Sequence, residues 1–276
     1  MSTLRAGLGW IPTVIESARQ TVLLLSRPRL LWIAAGAVAL VGVCAHVVGG
    51  RAAERIDGRG MFCLLTWWLH STVLLPWTTL FLGVQAVHGR IEDRTFQFLF
   101  LRPVGRIPLL LGNWLAVVVA AVLVGSAGVV ALFAGVATHP DRWGDGIEWH
   151  LLATFLEVSF LAVLAYAAVA VFFAAYFRRP LVWSACFVVG LQMLTANLRV
   201  SAGLRHLTIT DPLRRLVLDR VEPNQNLALA LWPAEREFRP EMIGEPVQDL
   251  VLFTLVCLVL AMWAYSRTEY DSRSRE

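Results

Sequence analysis

The chain has 276 residues, of which 57% are hydrophobic and 16% charged, with a formal net charge of +4 and a mean hydropathy of +0.63. A soluble domain carries roughly 25% charged residues, so a water-soluble globule is excluded. All 24 basic residues are arginine, and the missing lysine excludes two chemistries: a G-x-x-x-x-G-K-[ST] phosphate loop needs its lysine, and Schiff-base catalysis needs an amine.

Length alone would suit about two soluble domains, but the apolar residues fall in blocks that replace a domain count by a count of spans. Residues 8–26 come first. Ile11, Val14, Ile15, Ala18, Val22 and Leu25 recur at helical spacing, with Glu16, Arg19 and Gln20 on the other side. This is the pattern of an amphipathic helix lying in the membrane interface, and Ser26-Arg27-Pro28 breaks it. The stretch lacks the basic, apolar, small-residue order of a cleavable signal.

About 20 apolar residues cross a bilayer core as a helix. Blocks at about 30–49, 61–87, 107–137, 150–176, 181–198 and 249–266 meet or approach that length. The expected fold is an all-α polytopic membrane protein with six transmembrane helices in a single domain, since lipid offers an open backbone no partners. With the N-terminus inside, 13 arginines fall on the cytoplasmic side: Arg5, Arg19, Arg27, Arg29, Arg90, Arg94, Arg102, Arg106, Arg178, Arg179, Arg267, Arg273 and Arg275. The two short outside loops hold Arg51, Arg55, Arg59 and Arg142. Both termini are therefore expected in the cytoplasm.

The second block holds Trp67, Trp68 and Trp77, read as packing and interface anchors, and Pro76, read as a kink. His46 and His70 lie in the first two blocks, and no further cofactor signal accompanies them. The segment after the second block, residues 88–106, mixes charge with aromatics. Residues 91–101 can form about three helical turns, with Glu92 and Asp93 favoured at the start by the helix dipole and Pro103 stopping the helix. Phe96 and Leu99 then need headgroups or a protein groove to cover them.

In the third block Gly125 and Gly128 permit close helix approach. In the fourth, Glu157 is the carboxylate placed within the bilayer. Such groups face a cavity or a partner, and two readings stay open: an interface-facing carboxylate, or a contact with passing substrate or a second chain. Cys44, Cys63, Cys186 and Cys257 share no close spacing, and neither a metal site nor a disulfide framework is suggested. No nucleophile set for hydrolysis or proteolysis is present. Residues 199–248 are too polar to span and too long for a turn. Asp211-Pro212 there reads as a helix start, Asp as N-cap, with Leu213, Leu216 and Val217 as the apolar stripe and Pro223 as the stop. We expect short re-entrant or surface helices on the outer face, with a plain linker or a docking surface for an extracytoplasmic accessory protein as alternatives.

The order of Glu92-Asp93, Thr95, Leu99, Arg102-Pro103, Arg106 and Leu110-Leu111-Gly112 resembles the segment after the second span of ABC-2-type permeases. Ser26-Arg27-Pro28-Arg29 before the first span and the long loop between the last two add to the likeness. This chain differs in carrying Arg94 before Thr95, where the family usually has glycine, and Asn113 after the Leu-Gly, where it usually has a basic residue. The resemblance implies the transmembrane subunit of an ATP-driven exporter in the bacterial cytoplasmic membrane, binding no cofactor itself and leaving ATP to a separate ABC ATPase. It implies a second permease chain, homodimeric or heterodimeric, and surrounding lipid as further partners. Residues 91–101 become the coupling helix, with Glu92, Asp93, Thr95, Phe96, Leu99, Arg102 and Arg106 as the ATPase-coupling interface. A non-transporting membrane scaffold or assembly factor is the alternative function.

Overall fold

The computed structural model describes residues 10–51, 58–92, 105–139, 148–194, 208–221 and 245–267, and every regular element among them is helical. Helix α1 is Trp10–Leu25 and α2 is Pro28–Arg51. The break between them follows from the residues: Ser26 turns its N–H to Val22 O and its hydroxyl to Leu23 O, and Pro28 opens the next helix where no N–H is needed. Helices α3 (Gly58–Leu65) and α4 (Leu75–Glu92) are joined without interruption by a π-helical stretch, Thr66–Leu74. Next come α5 (Arg106–Ala137), α6 (Trp149–Tyr176), α7 (Pro180–Cys186) with a π-helical continuation to Leu194, α8 (Thr210–Arg220) and α9 (Pro246–Arg267).

Among the described residues four helices are long and apolar enough to cross a bilayer: Leu30–Val48 within α2, Arg106–Ala137, Trp149–Tyr176 and Pro246–Arg267. These coincide with the first, third, fourth and sixth expected spans. The second falls within the unbroken α3–π–α4 run. The fifth corresponds to α7 and its continuation, with 195–198 outside the described residues.

Helix α6 forms the centre. Residues Ala162, Val163 and Ala165 to Val171 are all buried, and apart from the Tyr166 hydroxyl this stretch of α6 is apolar all round, as a helix enclosed by others must be. Around it pack α4, α5, α8 and α9. Small residues set the spacing. A Cβ on Gly83 would overlap Ala170 Cβ, and one on Gly135 would stand 2.7 Å from Gly42 O. Gly125 and Gly128 behave as the sequence suggests: a Cβ there would meet Leu75 and the His70 ring, each at 2.8 Å.

Three expectations change. The side of α1 that meets the bundle carries Ser17, Thr21 and Leu25, all buried, with Val14, Ala18 and Val22 half-buried, while Ile11 and Ile15 of the expected apolar stripe are exposed along with Glu16, Arg19 and Gln20. Ser17 donates to Leu109 O (3.2 Å) and Thr21 to Asn113 Oδ1 (2.8 Å), and Gly112 closes on Ser17 and Val14 O. Partner numbers rise together, so α1 runs alongside the start of α5, with Ile11 and Ile15 on its outward side. Second, the irregularity near Pro76 spreads over the preceding π turn: Leu75 N–H reaches back five residues to His70 O, the register shift that accompanies a ladder ending at a residue without an N–H. Third, Ile91 and Glu92 complete α4 rather than opening a new helix. The rest of 91–101, with Asp93, Thr95, Phe96, Leu99 and also Arg102, lies outside the described residues.

Candidate functional site

The polar interior of the bundle gathers around α8. Its residues Thr210 to Leu218 are all buried, including Asp211, Arg214 and Arg215. The helix does not lie flat on the bundle end. Near its C-terminus Arg220 pairs with Glu157 at 3.4 Å, and at its N-terminus Thr210 hydrogen-bonds Tyr166. Those two partners are nine residues apart along α6, a descent of about 13 Å at roughly 1.5 Å per residue. Helix α8 lies lengthwise along α6, its C-terminus towards the end that carries Trp149 and Pro246, so 210–220 is a packed helix and not a plain linker.

The N-terminus of α8 differs from the sequence reading. The helix opens at Thr210, with Ile209 in the cap position and no side-chain cap bond. Asp211 sits inside the first turn and takes a hydrogen bond from Arg215 one turn on. A buried guanidinium is an expensive neighbour unless paired, and this need overrides capping. Gln192 and Thr208 share the work expected of a cap: Gln192 Oε1 accepts both the N–H (3.1 Å) and the hydroxyl (2.8 Å) of Thr210, and Thr208 Oγ1 accepts the N–H of Asp211 (3.2 Å). The apolar stripe Leu213, Leu216 and Val217 is buried as expected.

Helical spacing divides the polar residues of α8 into two faces. Asp211 and Arg215 look towards α9, where Asp249 stands 4.0 Å from Arg215. Thr210 and Arg214 look towards the other side, with the Arg214 guanidinium 5.4 Å from the Trp67 ring centre, a cation–π arrangement. Trp67 is fully buried. At the open end Arg59 donates to Val221 O at 2.6 Å.

The remaining residues singled out by sequence separate. Glu157 is half-exposed and held by Arg220, a placement compatible with both readings of it. Arg106, at the opposite end, donates to Ser266 O at 3.2 Å and ties the start of α5 to the end of α9. The two histidines are apart. The His46 ring lies 4.8 Å from that of His139, while His70 sits in the notch of Gly128 with Nε2 3.5 Å from Ser159 Oγ. Among the described residues no group of three or more His, Cys, Asp or Glu is placed to hold a metal.

Arg214, Arg215, Gln192 and Tyr166 carried no weight in the sequence. An Asp-x-x-x-Arg spacing inside a helix with its own apolar stripe was the available signal for the first pair. Nothing in the sequence pairs Gln192 with Thr210, because that contact spans a connection with no periodicity. No family model and no characterised protein matches the chain, so function is argued from its own residues.

Proposed function

We propose that the chain is the non-catalytic, membrane-spanning permease subunit of an ATP-driven exporter, working as a pair of such chains with separate ABC ATPase subunits. In this reading all six segments cross the bacterial inner membrane. The α3–π–α4 run is the second span and the stretch beginning at Pro180 the fifth, and both termini are cytoplasmic. Residues 93–104, between α4 and the Gly105 that precedes α5, face the ATPase.

The observation that supports the reading is how little chain separates that segment from three long helices. Glu92 ends α4, Arg106 begins α5, and Arg106 is bonded to the last turn of α9. A displacement of 93–104 therefore reaches α4, α5 and α9 together, as a rigid-body shift of packed helices. Glu92, Asp93, Thr95, Phe96, Leu99 and Arg102 make the ATPase contact, and Arg106 transmits it.

Co-purification tests the reading. The full chain, expressed with an ABC ATPase encoded beside it, is expected to retain that ATPase, and the pair Asp93→Arg with Phe96→Ala to weaken retention at least about tenfold, the loss of roughly one good interface contact. No association, or association indifferent to both substitutions, sinks the permease reading and leaves a membrane scaffold.

A further inference from the structure

We propose that Gln192, Trp67 and the Thr210–Arg214 face of α8 form a binding site for the oxyanion head of an amphiphilic ligand, covered in this conformation and opened when α8 withdraws. The inference deepens the permease reading by naming the class of cargo.

The chemistry of the donors carries it. Because Gln192 Oε1 accepts two bonds from Thr210, the orientation of its amide is fixed by the network, and its Nε2 is left without an acceptor. The indole Nε1 of Trp67 also has none. Both side chains are sealed from solvent, at 1% and 0% exposed. An amide NH2 and an indole N–H can be satisfied only by lone pairs, and an unsatisfied donor in an apolar interior is a standing penalty. Arg214 brings a positive charge to the same place: its guanidinium lies over Trp67, and it is one helical turn from Thr210, on the same face. Donors beside a cation call for an anion rich in oxygen.

The cover is α8 itself. At the open end it is fastened by Arg220 to Glu157, both about half exposed, and by Arg59 to Val221 O. Water competes for such contacts, so they release readily. The site lies about 13 Å along α6 from that rim, flanked by the buried Leu213 and Val217, which suits a head carrying an apolar tail. The oxyanion could equally arrive as free phosphate, and the test separates the two.

The full chain in non-ionic detergent is titrated with dihexanoyl phosphatidic acid, with inorganic phosphate and with dihexanoylglycerol, and its thermal unfolding midpoint is followed. A saturable rise with phosphatidic acid and none with dihexanoylglycerol supports the proposal. An equal response to phosphate keeps the oxyanion site and assigns it to a free anion. No saturable rise with either anion, or an equal rise with dihexanoylglycerol, overturns it. Gln192→Leu and Trp67→Phe should each raise the half-saturating concentration about tenfold, the loss of one donor to a charged group; unchanged binding in both overturns the assignment. Should these variants not fold, Arg220→Ala keeps the question open to refutation: loosening the cover should lower half-saturation a few-fold, and no change or a rise counts against a covered site. Titration involves no ATPase, and the co-purification reads the other end of the bundle, so either reading can fail alone.

Discussion

Two regions of the bundle are built on opposite principles. Where α4 and α5 meet α6 and α2, contact is made by glycine, alanine and valine, with Gly83 against Ala170 and Gly135 against Gly42. Around α8, contact is made by charge and hydrogen bonds: Arg215 beside Asp249, Arg214 over Trp67, Thr210 with Gln192 and Tyr166. In lipid, apolar surface gains nothing by leaving one apolar medium for another, so helices associate through close packing and polar contacts. The first region uses close packing and is fixed by shape. The second depends on complete pairing, and fails when one member is lost.

That difference predicts the order of mutational effects. Asp211→Ala takes from the buried Arg215 guanidinium the carboxylate it bonds within α8, with Asp249 standing 4.0 Å away. The expected loss is about 3–5 kcal/mol, read as a fall in the unfolding midpoint of the purified chain. An effect under about 1 kcal/mol, the size of an exposed pair, would show that the buried Arg215 does not depend on this carboxylate. Gly83→Val comes next. Its Cβ has no room beside Ala170, and the helices must part, at a cost of about 1–3 kcal/mol or more. The combination with Ala170→Gly should recover most of the loss, since the obstructing methyl is then gone.

The sequence made the apolar region legible and the polar one only partly so. Hydropathy gave the four long helices within a few residues, and Gly125 and Gly128 were read as approach points because a missing side chain has one structural use. Helix α8 was found from Asp211-Pro212 and its stripe. Its insertion was not, because depth is set by contacts between Thr210 and Tyr166 or Gln192 that leave no period in the chain. The packing side of α1 is partly hidden for a related reason. An amphipathic pattern separates charged from apolar residues but does not say where small hydroxyls will find acceptors, and Ser17 and Thr21 turn in beside Leu25 while Ile11 and Ile15 turn out.

Asn113 sharpens that point. Its Oδ1 accepts from Thr21 at 2.8 Å and lies 3.4 Å from Ser17 Oγ, and the residue is sealed from solvent. Asn113→Leu should cost about 1–2 kcal/mol, less than a buried charge, because both hydroxyls retain backbone acceptors, Ser17 O for Thr21 and Leu109 O for Ser17. If α1 instead lay in the interface, clear of α5, the substitution would leave the unfolding midpoint unchanged.

The smallest effect is expected where the two regions meet water. Arg220 and Glu157 are 3.4 Å apart and about half exposed, the setting in which an ion pair contributes about 0–1 kcal/mol. Glu157→Gln should therefore leave stability within that margin and resemble Arg220→Ala, and the double substitution should match either single one, since each removes the same contact. The readings of Glu157 part on this cycle. A carboxylate that only fastens α8 gives equal single and double effects. One that also meets substrate or a second chain gives a Glu157→Gln effect on ligand response or assembly that Arg220→Ala does not reproduce.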